Sequence, residues 1–525
     1  SKFDSEAKVW SGIQTQIDPN CSIGERIFSA FERNPSDIAE INADTNQKFT
    51  CNEIRIRSIR VAQYLSRSGY KEGDIICLAA DNNEWLSSIV VGCFSIGATI
   101  NPIYSKFPKE DVIKMLEITK PCLIFCEESN YNVMKEASEE ICIKVKIFVF
   151  GTIECDEIFV ETGQEQSFKS ISSENLANKT AAILGSSGTS GPFKAVSLSY
   201  SNLSYRKQFN SKRSTSLISF TCLYWISGVS LLIFGFLSKC IRIYTKQDYT
   251  PELAIKFIEK YRVDTVFLTT DFMSTLFRCK LIETSDLSSV KVFLTGGSIM
   301  SEKMRMKIKS EYLQHAEILD VYGSTETGWI SKNGSLPENI QVKILDDDGT
   351  LLGPNESGEI IVKRPTKFIG YFNNDEETKK ILLPDNWIRT GDIGYFNDDG
   401  LLTIIGRKKD SIVHYGYSID ARELEDLIRE CDKSIEKVCA IGMFHTTLCT
   451  DLPAAFIVKN DDLTKTENEI LEFVNKRVHD HKQLKGGVYF IDRFPTSVTG
   501  KIQRGKLRSL AATLYHEKNY QKNKM

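Results

Sequence analysis

Residues 186–194 read Ser-Ser-Gly-Thr-Ser-Gly-Pro-Phe-Lys, directly behind an apolar, strand-like run at 181–184. Ser186, Ser187, Thr189 and Ser190 bring hydroxyls, Gly188 and Gly191 leave backbone N–H groups open, and Lys194 adds one cation. Such a set suits a polyphosphate. The spacing is not that of the nucleotide loop G-x-x-x-x-G-K-[ST], because Gly188, Gly191 and Lys194 stand three apart and no Ser or Thr follows the lysine. P-loop and kinase-like readings are thereby set aside. A Ser/Gly/Thr stretch is also an ordinary surface turn, so the loop gains meaning only from its company.

Three further segments supply that company. Tyr322-Gly323-Ser324-Thr325-Glu326 follows the apolar stretch 318–321 and sets a ring, hydroxyls and a carboxylate within five residues. Those groups can stack on a base, bond a phosphate and hold a hard cation. Trp387-Ile388-Arg389-Thr390-Gly391-Asp392 is followed, after the turn Asp398-Asp399-Gly400, by Gly406-Arg407-Lys408-Lys409-Asp410. Near the C-terminal end stands Pro495-Thr496-Ser497-Val498-Thr499-Gly500-Lys501-Ile502. A buried tyrosine, a β-turn, an exposed charge cluster and a lysine on a solvated loop explain each segment singly. Four in this order ask for a common explanation.

The elements that must carry them alternate. From residue 23 to about 340, amphipathic helical patterns alternate with short apolar runs, the pattern of an α/β protein with parallel sheets. Ile54, Val61 and Leu65 mark one inward helix face, and 75–79, 122–125 and 147–150 read as buried strands. Residues 152–173 are acidic and polar and read as a surface excursion. Past residue 340, short strands with Asp/Gly turns (341–345, 346–349, 358–362) predict a small antiparallel barrel or sheet. A final α+β unit follows Arg407, with helices at 421–430 and 467–479 and a strand at 454–458.

A chain of 525 residues exceeds one ordinary core, so two or more domains are expected. Its net charge of −3 gives no reason to invoke nucleic acid or a membrane surface. The longest apolar run, 229–237, is far short of the ~20 residues of a membrane helix. Fourteen cysteines without paired C-x-x-C spacing read as reduced intracellular thiols, with no zinc site. Residues 501–525 carry seven Lys/Arg against Glu517 and read as a solvated helix and tail. The end Asn523-Lys524-Met525 departs from the S-K-L peroxisomal address, so the expected location is cytoplasmic, with the peroxisome as the alternative.

Taken in order, SSGTSG…K, YGSTE, TGD, GR-x-K and PTSVTGK resemble the adenylate-forming superfamily of acyl-CoA synthetases, 4-coumarate-CoA ligases and luciferases. Leu223-Tyr224-Trp225-Ile226-Ser227-Gly228 and Val9-Trp10-Ser11-Gly12 look like its insect luciferase-like acyl-CoA synthetase branch. The resemblance implies an α/β fold: a large N-terminal adenylation domain, 1–406, with parallel-sheet subdomains and a small β-barrel at about 340–405, then a small mobile α+β domain, 407–525. The implied cofactors are ATP, Mg²⁺ and CoA, with a carboxylic acid as the partner substrate.

Residue by residue, the resemblance gives the 186–191 loop and Lys194 to the phosphates, Thr325 to phosphate, and Glu326 to Mg²⁺. Tyr322 and Gly323 would meet adenine opposite Gly296, Gly297 and Ser298, while Asp392 and Arg407 would bind the ribose. Lys501 would act as catalytic cation, Lys409 as hinge, and the loop at Gly416 as pantetheine lining. Tyr224 and Trp225 fall near the acid pocket and imply a hydrophobic acid.

The chain departs from the pattern at Pro192-Phe193-Lys194-Ala195, where relatives read L-P-K-G. It also departs at Tyr224 and Trp225 in place of histidine, at Val413 and Tyr415 in place of two loop lysines, and at Ala421 in place of proline. The leading expectation is an AMP-forming acyl-CoA synthetase, an acid-thiol ligase acting on a fatty or aryl acid. The alternatives are a luciferase-like monooxygenase and a weakly active acyl- or nucleotide-binding paralogue.

Overall fold

Apolar runs bounded by turn residues become the central strands. In this computed structural model the described residues are 1–16, 22–171, 174–186, 194–205, 215–298, 300, 302–408, 412–415, 417–432, 434–445, 448, 450–460, 463–497 and 500–522. Ile75–Ala79, Leu123–Cys126 and Lys146–Val149 lie parallel in a six-stranded sheet with Thr99–Ile103. That sheet ends in the antiparallel pair Thr180–Ser186 and Lys194–Ser199. Thr99–Ile103 is buried at every position, as expected of a strand covered on both faces.

A second sheet of eight strands runs in the order Gly328–Lys332, Glu317–Ser324, Val292–Gly296, Thr265–Thr269, Ser216–Ser219, Ile241–Tyr244, Ile38–Asn42, Lys48–Thr50. Helix Ile226–Leu237, which holds the longest apolar run, packs on it with nine consecutive buried residues from Gly228 to Phe236. Helix Cys51–Arg67 begins at a reciprocal capping box: the Thr50 hydroxyl accepts from the Glu53 N–H, and the Glu53 carboxylate accepts from the Thr50 N–H. Its inward residues Ile54, Val61 and Leu65 are fully buried. The excursion at 152–173 is not wholly on the surface. Cys155 and Ile158 enter the main core, and the buried Glu165 carboxylate pairs with Arg60 of that helix at 2.8 Å, because a charge at that depth needs a partner.

Beyond residue 340 every strand pairing in the third sheet is antiparallel, in the order Lys2–Asp4, Val9–Ser11, Gln341–Leu345, Gly358–Lys363, Trp387–Phe396, with Leu382–Leu383 and Leu402–Arg407 both on the last of these. Two of its strands come from the N-terminal end of the chain. Trp10 fixes them, sandwiched between Phe3 at 4.3 Å and Phe396 at 4.4 Å. Truncating so buried an indole costs about 3–5 kcal/mol. Gly12 lies so close to this sheet that a Cβ there would overlap the Pro337 carbonyl oxygen.

The C-terminal unit holds a three-stranded sheet, Val438–His445, Thr450–Val458 and Gly487–Ile491, flanked by helices Ala421–Cys431, Glu467–Asn475 and Arg504–Lys522. The second helix ends four residues before the sequence pattern does, where the Asn475 side chain accepts from the Leu484 N–H and ties down the returning chain. The last helix is not simply solvated, since Leu507 and Ala511 are fully buried in the core with Cys439 and Phe456. No helix among the described residues is long and apolar enough to cross a membrane.

Candidate active site

The parallel strands Val292–Gly296 and Glu317–Ser324 end side by side, with Gly296 in register with Val321. A Cβ at Gly296 would crowd the Val321 carbonyl oxygen, so this close approach needs glycine. Gly297 has φ +90°, and Ser298 is anchored by its carbonyl, which accepts from the Thr270 hydroxyl at 2.8 Å. Ligands of open α/β sheets lie beyond such carboxyl strand ends. Past Tyr322 the chain makes a tight turn closed reciprocally, since the Thr327 hydroxyl accepts from the Ser324 N–H at 3.1 Å and the Ser324 hydroxyl accepts from the Thr327 N–H at 3.2 Å. Thr325 and Glu326 stand on this turn, both half-buried. A Cβ at Gly323 would overlap the Gly328 carbonyl, so glycine is required here as well.

Asp392 reaches this place from the antiparallel sheet. The Tyr322 hydroxyl donates to Asp392 Oδ2 at 2.7 Å, and Arg407 Nε lies 3.1 Å from Oδ1. Burial, reinforced by the Asp392 charge, pushes the Tyr322 phenol well above its ordinary value, so it stays a donor. Strand Leu402–Arg407 is hydrogen-bonded beside Asp392, with Asp392 in register with Arg407.

A second cluster forms next to the first. The buried Tyr371 hydroxyl donates to Glu326 Oε1 at 3.0 Å, and the Lys194 ammonium sits 4.8 Å above the Tyr371 ring. Lys194 also pairs with Glu377 Oε2 at 2.6 Å. Glu377 belongs to helix Asp375–Ile381, and Lys194 with Lys380 holds its carboxyl down to about 2. Burial and the Glu326 charge push the Tyr371 phenol well above its ordinary value, while Arg407 is near enough to act on it in the opposite sense. Tyr322 and Glu326 lie four residues apart on one strand and its turn, which joins the two clusters into one polar site.

Among the described residues no group of three His, Cys, Asp or Glu side chains converges. Magnesium beside one or two carboxylates usually draws most of its ligands from phosphate and water. Glu326, with one oxygen engaged by Tyr371 and the other outside that bond, fits such a role. The neighbouring Lys194 adds the positive charge that a polyphosphate requires.

The chain matches the model of the AMP-binding enzymes over residues 27–372 and that of their C-terminal domain over 423–501. It is an AMP-binding enzyme. Luciferin 4-monooxygenase of Photuris pensylvanica is 26% identical over 93% of this chain and 95% of its own length. A probable 4-coumarate–CoA ligase of Dictyostelium discoideum is 26% identical over 94% of this chain and 96% of its own length. Among solved structures, the luciferase-like enzyme of the nonluminescent mealworm Zophobas morio superposes with a TM-score of 0.70 at 26% identity, covering 76% of this chain and 98% of its own. ATP-bound MatB of Rhodopseudomonas palustris superposes with a TM-score of 0.85 at 22% identity over 94% of this chain and all of its own, a likeness of fold. The adenylate-forming superfamily is thereby established, with its large N-terminal and small C-terminal domains.

In this AMP-binding enzyme the structure brings together Tyr322, Asp392, Arg407, Glu326 and Lys194 of the residues singled out in the sequence. Ser187, Gly188, Thr189, Ser190, Gly191, Lys409, Gly416 and the C-terminal residues 523–525 lie outside the described residues. Beside Lys501, Thr496 bridges Ile502 antiparallel, and the Ser497 N–H donates to the Lys501 carbonyl at 2.8 Å. Tyr224 is packed into a core with Phe107 and Tyr104, and burial raises its phenol, so it is no base. Trp225 lies against the same core, half-buried.

Sequence reasoning missed Tyr371 and Glu377, which sit in Gly-Tyr-Phe-Asn-Asn-Asp-Glu-Glu, a stretch that reads as a turn and a charged helix start. It also missed Arg364, buried beneath the Ser324–Gly328 turn, where desolvation lowers its guanidinium to about 10.

Proposed function

We propose that this chain is an ATP-dependent acyl-CoA synthetase that activates a hydrophobic fatty or aryl acid as its acyl-AMP and transfers the acyl group to CoA. The observation that carries the reading is the adjacency of a ribose-type acceptor, Asp392 with Tyr322 and Arg407, to a cation and carboxylate pair suited to polyphosphate, Lys194 and Glu326. The half-buried Tyr322 ring, its hydroxyl tied to Asp392, offers a face to adenine against Gly296, Gly297 and Ser298. Asp392 accepts the ribose hydroxyls beside Tyr322 and Arg407. Lys194, Thr325 and the 186–191 loop neutralise the phosphates.

Two anions must approach for the acid to be activated. The acid carboxylate attacks the α-phosphorus and pyrophosphate leaves, so the work is positioning and charge neutralisation, with no protein nucleophile. Glu326 would hold magnesium, which when bound would supply charge neutralisation on the phosphates. Lys501, a point charge beside the bridge between Thr496 and Ile502, neutralises the carboxylate and α-phosphate as they meet. The CoA thiol then attacks the acyl carbonyl and AMP leaves. A domain boundary at 406/407, a hinge at Lys409 and a pantetheine channel past Gly416 belong to the same reading, as do membership of the insect luciferase-like branch and a cytoplasmic, or alternatively peroxisomal, location. The half-buried Trp225 gives the acid pocket an apolar wall.

The test is pyrophosphate release over graded fatty and aryl acids, with and without CoA, with thioester and photon yield measured together. CoA thioester from a hydrophobic acid supports the proposal. Strong CoA-independent light from a luciferin without any thioester overturns it in favour of a monooxygenase. ATP binding without pyrophosphate release over the whole panel points instead to a binding paralogue.

A further inference from the structure

Two groups of the site come from different sheets, Lys194 from the start of a strand in the six-stranded sheet and Glu326 from a turn beyond the eight-stranded one. Separate supports drift independently unless something rigid spans them. One side chain touches both: the Tyr371 hydroxyl donates to Glu326 Oε1 at 3.0 Å, and its ring face lies 4.8 Å from the Lys194 ammonium. We propose that Tyr371 is a positioning residue, aiming the Glu326 carboxylate at the metal and the Lys194 ammonium at the phosphates. This rests on the adenylating function proposed above.

The backbone around Tyr371 is built to hold it. Residues 370–372 run beside the strand that begins at Lys194, with the Ser197 N–H donating to the Gly370 carbonyl at 3.0 Å and the Phe372 N–H to the Ala195 carbonyl at 2.7 Å. Tyr371 bridges Val196 in this ladder, and its own N–H donates to the Thr378 hydroxyl at 2.9 Å. Gly370 has φ +106° and packs on the Thr378 side chain, a conformation that disfavours any other residue there. The ring is 7% exposed and edge-on to Phe368. Its hydroxyl therefore has one place to go. By donating to Oε1 it fixes the carboxylate plane, leaving Oε2 for a cation. By lying under Lys194 it supports the ammonium in the half-buried position where Glu377 pairs with it.

Tyr371→Phe deletes the hydroxyl and keeps the ring, whereas Tyr371→Leu deletes both contacts. The measurement is calorimetric binding of ATP to the whole protein over a magnesium series, with thermal unfolding recorded alongside. For Tyr371→Phe the magnesium concentration giving half-maximal tightening should rise about tenfold or more, the usual scale for losing a hydrogen bond to a charged group. Its metal-free ATP affinity should stay within about twofold. For Tyr371→Leu the metal-free affinity should fall as well, by about threefold or more, as the cation–π support goes. A purely structural role would lower the melting temperature without moving the magnesium dependence. An unchanged magnesium dependence in Tyr371→Phe overturns the inference, as does failure of the wild-type protein to bind ATP. Binding with the predicted shift but no pyrophosphate from any acid leaves the inference standing and removes the proposed function.

Discussion

The bond between Tyr322 and Asp392 exists without any ligand, so its weight can be measured in the free protein. Removing the phenol with Tyr322→Phe gives up a hydrogen bond to a buried carboxylate, worth about 1.5–3 kcal/mol. Asp392→Ala gives up the same bond. It also loses the Arg407 pair, which adds only ~0.2–1 kcal/mol because Arg407 is 45% exposed. The single substitutions should therefore cost about 1.5–3 and about 2–4 kcal/mol. The double variant should fall short of their sum by about 1.5–3 kcal/mol, the shared interaction being counted once. Urea unfolding followed by tryptophan fluorescence suits this cycle, because Trp10, Trp85, Trp225, Trp329 and Trp387 all precede residue 407 and report the large domain. Additivity within about 0.5 kcal/mol would refute the contact. Coupling that appears only with ATP present would mean that the nucleotide creates the bond, contrary to the geometry described.

Lys501→Ala should lower the rate of acyl-adenylate formation in single-turnover quench by about 100-fold or more while calorimetric ATP affinity stays within about threefold, because its charge is needed where charge develops. A normal adenylate burst would remove Lys501 from that role. Burial raises the Asp320 carboxyl from 3.8 to about 6, so the folded protein favours its neutral form and the penalty for ionising it is absent below the unfolded value, grows as pH rises between the two, and is complete above about 6. Asp320→Asn should accordingly stabilise the protein by about 1–3 kcal/mol at pH 8 and by little at pH 4; an equal change in urea midpoint at both pH values would contradict this.

Much of the fold could be read before any coordinates because its signals are local. Ile75–Ala79 is an apolar run bounded by Gly73 and Asn82, and helix Cys51–Arg67 carries its own capping box. The site motifs were legible for the same reason, each being a short run of turn chemistry behind a strand. What escaped is non-local. Nothing in residues 370–377 announces that Tyr371 lies between Lys194 and Glu326, since that depends on two sheets meeting. Tyr224 was assigned to the acid pocket from its place in a motif, while its burial beside Phe107 follows from helix and sheet packing that no neighbouring residue encodes. The pairing of Val9–Ser11 with Gln341–Leu345 left no mark beyond an unusual tryptophan.

That pairing also sets a timetable. Strand Val9–Ser11 leaves the ribosome about 330 residues ahead of its partner, which starts at Gln341. At ordinary elongation rates of ~5–20 residues per second, the first strands wait roughly 15–65 s for their sheet. Throughout that interval Trp10 has no Phe396 to cover it. The two α/β sheets, whose strands from Ile38 to Lys332 are complete before Gln341 appears, can assemble without it. The sheet that delivers Asp392 must close after these two, so nascent chains stalled before residue 396 should present an uncovered indole to whatever chaperone binds apolar surface, and longer chains should not.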